Sequence, residues 1–377
     1  MFDLTSDALR ARDSLKWRDA DPAELPAWVA DMDVEVPAAV AAAIQRMVAT
    51  SSLGYPDFDA PDPLAAAFEH RMATRYGWTP AAGRTRSFTD VIQILQVALE
   101  FLTAPGDAVA IHVPAYPIFL RSIADAGRRV VPIDEAADGA QLAARWRSDS
   151  VRLVVVVNPH NPSGRMLGAD TLGVLAGAAA DLDLPVLSDE IHADLAFDGR
   201  RHVPFASLGA DVEARTITAT SPSKAFNLAG LHCAVAHLGH AAFAARVAAV
   251  PFAFLGGVST LSRAAAVAAW TEADPWLDEV VGTLTANRDA VTRWAAEVGV
   301  QVAPAQASYL AWLDFSGTSV AADPAGLILA SARVRLSAGP EFTEHTAIDS
   351  SGFARLNFGT SPALLDQILD RITAVLR

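Results

Sequence analysis

The chain has 377 residues, of which 52% are hydrophobic and 19% charged, and its formal net charge is −14. That length and apolar content suffice for a large core without disulfides or metals, which excludes a disordered chain. The acidic balance argues against non-specific binding to nucleic acid or anionic lipid. The lone Cys233 excludes an intrachain disulfide framework and a cysteine-based zinc site.

The start of the chain carries Asp3 and Asp7 and no apolar run, unlike a secretory signal. The Ala/Val-rich stretches elsewhere are too short for a bilayer span or are broken by charge, so a soluble cytoplasmic protein is expected. Residues 1–35 read as an irregular arm with Trp17 and Trp28, closing on Trp28-Val29-Ala30-Asp31-Met32-Asp33. Pro37 suits a first helical turn and opens a helix expected to reach Met47. After Tyr55-Pro56 a helix with Phe68 and Tyr76 on its apolar faces is expected.

From about residue 85 strands and helices alternate. Helices are expected over 91–102, 118–126 and 170–180, and strands over 108–113, 129–133, 185–189, 216–220 and 233–236. The run Leu153-Val154-Val155-Val156-Val157 is the strongest strand signal. Its unbroken β-branching suits a parallel strand covered on both faces. The pattern predicts an α/β domain around a mostly parallel sheet, with ligands beyond the C-terminal strand ends. A long helical stretch near 260–298 leads to a smaller α/β unit with strands near 308–314 and 352–358. The expected division is 1–45 as arm and part of the small domain, 46–275 as the large domain and 276–377 as the small C-terminal domain.

Polar residues cluster at the expected strand ends. Lys224 stands in Ser221-Pro222-Ser223-Lys224, where a lysine in a desolvating cleft can bond covalently to an aldehyde. Asp189 closes a buried strand, although an aspartate there is by itself as often a cap. Asn161, Tyr116, His192 and Arg355 each have an ordinary structural reading when taken singly. Cys233, in an apolar run, reads as packing.

Together, Asn158-Pro159-His160-Asn161-Pro162-Ser163-Gly164, Ser188-Asp189-Glu190-Ile191-His192, Ser221-Pro222-Ser223-Lys224 and Arg355-Leu356-Asn357-Phe358 resemble the class I/II aminotransferase family of fold type I pyridoxal-5'-phosphate (PLP) enzymes. Their order and spacing cover nearly the whole chain. Trp28-Val29-Ala30-Asp31-Met32-Asp33, His160 and Phe226-Asn227-Leu228-Ala229-Gly230-Leu231 are similar to the cystathionine β-lyase branch typified by MalY and PatB.

The resemblance implies that Lys224 holds the PLP aldehyde and is the catalytic base, and that Asp189 faces the pyridine nitrogen. It implies that Asn161 and His192 meet the ring oxygen and that Tyr116 stacks on the ring. Ser221, Ser223 and the amides of Asp90, Val91 and Ile92 would take the phosphate, as a helix start favours an anion. Arg355 would grip the substrate carboxylate, with Asp33 and Tyr55 also at the substrate. Tyr55 would reach the phosphate of a partner subunit, implying a homodimer with shared sites. Two departures stand out: Asp90 replaces a common glycine, and His232 occupies the place of a phosphate-binding arginine. The expected reaction is C–S β-elimination from cystathionine or another cysteine S-conjugate. An aminotransferase and a PLP-binding regulatory protein are the alternatives.

Overall fold

The computed structural model describes residues 1–18, 20–57 and 60–377, apart from the side chains of Phe252 and Ala253. Its strands are β1 Leu25–Pro26, β2 Thr85–Phe88, β3 Ala108–Ile111, β4 Arg129–Pro132, β5 Val151–Val157, β6 Val186–Asp189, β7 Thr216–Thr220, β8 Ala234–Leu238, β9 Leu310–Asp314, β10 Val334–Arg335, β11 Ser337–Ala338 and β12 Phe353–Asn357. Seven of them form a central sheet in the order β2-β8-β7-β6-β5-β3-β4. The pairs among β3 to β7 are parallel, while β8 runs antiparallel to both β7 and β2.

The core explains why the valine run forms the middle of this sheet. Leu153, Val155 and Val157 pack with the helix Val91–Leu102 on one face, and Val154 and Val156 pack with Trp146, Leu172 and Leu175 on the other. A strand covered on both faces shows no alternation, as the sequence indicated. The helix Val91–Leu102 starts just beyond β2, so its amino end lies at the edge of the sheet where β5, β6 and β7 also end.

A second, three-stranded antiparallel sheet has the order β11-β12-β9. The arm belongs with this region, because β1 pairs in parallel with β10. Three expectations are corrected here, and one strand is added. The arm contains helices Ser6–Arg10 and Leu15–Arg18 as well as β1, stabilised by the Arg335–Glu24 ion pair at 2.9 Å. The helix carrying Phe68 ends at Arg71 and widens into a π-helical turn, Met72–Tyr76. Residues 260–298 form two helices, Thr260–Glu272 and Asp274–Val298, which meet at Ala273 where Pro275 cannot supply a helical N–H. The strand β2, not assigned from sequence, is an edge strand whose Arg84-Thr85-Arg86 pattern faces solvent on one side.

Candidate active site

Three consecutive strands end on the same edge, and each delivers one side chain. Beyond β5 comes Asn161, β6 ends on Asp189, and Lys224 lies in the turn that follows β7. Asp189 is buried and, among the described residues, its carboxylate accepts only the Ile191 N–H, at 3.0 Å. Burial pushes this carboxyl up to about 7, against an opposing pull from Ile191 and Lys224. A buried acid without a basic side chain bonded to it is suited to pair with a cationic ring N–H.

The half-buried Lys224 donates to the Ala30 carbonyl at 2.9 Å. Burial lowers the pKa of its amine, Asp31 raises it, Arg355 lowers it and Asp189 raises it. The amine thus stands within the fields of both Asp189 and Arg355. Tyr309 is wholly buried and donates its hydroxyl to the same Ala30 carbonyl at 2.7 Å. Sequence reading did not single out Tyr309, since its signal, a tyrosine in a short apolar strand, is that of ordinary core packing.

Arg355 projects from β12 and is buried. Its Nη1 donates to Asn161 Oδ1 at 3.0 Å, and its Nη2 donates to the Trp28 carbonyl at 2.7 Å and to Ser337 Oγ at 3.2 Å. Its Nε is buried without a partner among the described residues. Burial lowers this guanidinium to about 10, and among the described residues it forms no ion pair with a carboxylate. A buried cation so placed calls for an external anion. Because Asn161 spends its oxygen on Arg355, its amide nitrogen is left to donate to another acceptor.

His192 is buried, and burial together with Lys224 and Arg355 pushes it down to about 3. It is therefore neutral, and its Nδ1 has no partner among the described residues. Its ring meets Tyr309 edge-on at 6.1 Å. Tyr116 caps the helix Pro117–Asp125, and burial raises its hydroxyl pKa, with Arg355, Asp31 and Asp90 all acting on it. Asp90 and Tyr116 therefore belong to one locality.

Asp90 caps the helix Val91–Leu102 by accepting the Gln93 N–H at 2.6 Å. The N–H groups of Val91 and Ile92 lie in the first turn and have no carbonyl within the helix to bond. The Asp90 carboxylate also lies 3.8 Å from His232. Ser223 is half-buried, but Ser221 requires a correction. The Ser221 hydroxyl donates to the Cys233 carbonyl at 2.6 Å and accepts the Ser223 N–H at 3.0 Å. Its single proton is committed, so Ser221 shapes the loop rather than offering a donor to a phosphate.

Asp33 is the second correction. It is buried, and its two oxygens are taken by Lys16 Nζ at 2.8 Å and Trp17 Nε1 at 2.7 Å. No oxygen faces a substrate. The neighbouring Asp31, rather than Asp33, is the carboxylate that acts on Lys224, Tyr116 and Tyr309. Tyr55 is 95% exposed.

The segment 28–32 is fastened as a strap across the site. Besides the bonds to Arg355, Lys224 and Tyr309, Asn227 brackets Met32 with two 2.8 Å hydrogen bonds, and Asn357 Nδ2 donates to the carbonyls of Val29 and Asp31. The buried Asp189 acid, the unpartnered His192 Nδ1 and Arg355 Nε, and the open amides at Val91 and Ile92 fit a group with a ring nitrogen, a ring oxygen and a phosphate. These donors and acceptors around one reactive lysine define a cofactor-binding site of the PLP type.

The chain belongs to the aminotransferase class I and II family, whose pattern it matches over residues 29–372. It is 33% identical to the cystathionine β-lyase of Corynebacterium glutamicum, covering 98% of both chains. It is also 33% identical to the cystathionine β-lyase PatB of Bacillus subtilis, covering 93% of this chain and 92% of that one. Among solved structures, a Corynebacterium diphtheriae protein described as a candidate PLP-dependent β-cystathionase superposes with a TM-score of 0.91 at 31% identity. That match covers 99% of this chain and 98% of the other. Among the described residues no helix is long and apolar enough to cross a membrane.

Proposed function

We propose that the protein is a PLP-dependent C–S β-lyase that splits cystathionine or a related cysteine S-conjugate into a thiol, pyruvate and ammonia. The observation that carries this reading is the placing of Asn161, Asp189 and Lys224 beyond the ends of three neighbouring parallel strands, with Arg355 bonded to Asn161 at 3.0 Å. When bound, PLP withdraws the electron pair left on the substrate α-carbon once its proton is removed. The residues of this chain do the remaining work. Asp189 holds the ring nitrogen, Asn161 and His192 meet the ring oxygen, and Tyr116 packs on the ring. Ser223 and the amides of Asp90, Val91 and Ile92 receive the phosphate.

Arg355 takes the α-carboxylate through its planar guanidinium and so aims the α-hydrogen at Lys224. Lys224 removes that proton as a base, a role favoured by the burial that lowers its pKa. The Cβ–S bond then breaks and sulfur leaves as a thiol with one proton. The remaining aminoacrylate takes up water to give pyruvate and ammonia. The identities to two cystathionine β-lyases support elimination over amino transfer.

The assembly expected is a homodimer in the cytoplasm. The 95% exposed Tyr55, with the exposed Leu53 two residues before it, would meet a second copy and reach its phosphate. Sedimentation velocity tests the dimer, and a monomeric holoenzyme with full activity refutes it.

The reaction is tested by incubating the PLP-loaded protein with cystathionine and measuring free thiol and pyruvate. Equal amounts of both are expected, with activity and the visible cofactor band lost in Lys224→Ala. Amino transfer to a keto acid without thiol release would instead select the aminotransferase.

A further inference from the structure

Arg355 raises a physical question. Nearly all of its side chain is removed from water, yet among the described residues no carboxylate forms an ion pair with it, Glu341 acting only through its field. A permanent carboxylate would hold the guanidinium, but it would also occupy the N–H groups that an incoming substrate needs. An aromatic face stabilises a cation without using any of its donors.

Such a face is present. The Phe342 ring centroid lies 4.9 Å from the Arg355 guanidinium carbon. Phe342 sits in the 3₁₀ turn Gly339–Thr343 and is 1% exposed. The sheet register explains what holds it. Ser337, Arg355 and Trp312 are cross-strand partners on β11, β12 and β9, so they share one face of the small sheet. Phe353, two residues before Arg355, points to that same face. Trp312 stacks on Phe353 at 5.4 Å and meets Phe342 edge-on at 5.1 Å. The carbonyl of Phe342 also accepts the Ala115 N–H at 2.8 Å, one residue before Tyr116. The ring that covers Arg355 is thereby tied to the segment carrying Tyr116.

We propose that Phe342 is a positioning residue that holds Arg355 in a charged, planar, substrate-ready orientation through its ring face, leaving the guanidinium edge for the α-carboxylate of the amino-acid substrate. This inference rests on the assignment of Arg355 to the substrate carboxylate.

The test uses the PLP-loaded protein with Phe342→Leu and, as a second ring-free variant of similar bulk, Phe342→Met. Two measurements are made with three compounds. S-methyl-α-methylcysteine lacks an α-proton, so its affinity can be measured calorimetrically without turnover. S-methylcysteine and its carboxamide differ only in the group that Arg355 would grip, and the ratio of their kcat/KM values reports carboxylate recognition. Loss of the desolvated ring contact should weaken binding of the α-methyl analogue about tenfold and reduce the ratio by a similar factor. The cofactor band should persist and kcat for the acid should change less than about threefold, so the loss falls on KM.

Unchanged affinity, or an equal fall for acid and amide, would overturn the proposal, because a merely structural role affects both substrates alike. If the wild-type protein binds the analogue but releases no thiol from S-methylcysteine, the lyase reading fails and the binding comparison still judges Phe342.

Discussion

Replacing Asp189 with Asn should stabilise the cofactor-free protein while weakening the cofactor-loaded one. Burial pushes the Asp189 carboxyl up to about 7 from an ordinary value of 3.8. The unfolded chain therefore gives up this proton near pH 4, whereas the folded chain keeps it until about pH 7. Between those values the folded state binds the extra proton, so stability falls as pH rises. A shift of about three units, at roughly 1.4 kcal/mol each, costs the fold about 4 kcal/mol at pH 8. At pH 5 the same group costs less than about 2 kcal/mol.

Asn brings no charge to bury, and its carbonyl oxygen can still accept the Ile191 N–H that Asp189 Oδ1 accepts at 3.0 Å. Urea unfolding of the cofactor-free wild type and variant at pH 5 and pH 8 isolates the effect. The advantage of Asp189→Asn should grow by about 2–3 kcal/mol from the lower pH to the higher. PLP titration should show the opposite ranking, with the variant binding more weakly. An advantage independent of pH would refute the reasoning, since the non-ionic consequences of the substitution are the same at both values.

Other outcomes follow from the surrounding structure. Asp33→Asn should destabilise the protein by about 3–5 kcal/mol in chemical denaturation, because Lys16 is then left buried without its counter-charge. Gly164→Ala should cost roughly 2–4 kcal/mol in the same measurement. Gly164 has φ +67°, and an added Cβ would come within 2.6 Å of the Ala305 Cβ and 2.8 Å of the Ala307 carbonyl.

Much of the site was legible because its chemistry is written in side chains at strand ends. Asn161, Asp189 and Lys224 follow three successive strands whose hydrophobic runs are plain in the sequence, and the spacing carried Arg355 with them. The parts that escaped reading share a different cause. Ala30 and Trp28 act through backbone carbonyls, whose direction is fixed by tertiary fastening rather than by residue type. Asp31 and Asp33 look equivalent in sequence. Only the packing of Lys16 and Trp17 separates them, turning Asp33 into the arm and leaving Asp31 near Lys224. The hydroxyls of Ser221 and Ser223 likewise differ only because the Cys233 carbonyl lies beside the first. β2 was missed because an edge strand with arginines on its open side lacks the apolar density of β5.

The strap at residues 28–32 also imposes an order in time. It leaves the ribosome early, yet the bond from Ser337 to the Trp28 carbonyl spans 309 residues and that from Asn357 to the Val29 carbonyl spans 328. Contacts of such long range form late, after the local strands and helices between them. A nascent chain halted before residue 355 would already hold all seven strands of the central sheet, with Asn161, Asp189 and Lys224. It would lack both Arg355 and Asn357, so the strap would be without their bonds to the Trp28, Val29 and Asp31 carbonyls. Synthesis thus delivers Asn161, Asp189 and Lys224 first and the β12 residues Arg355 and Asn357 last.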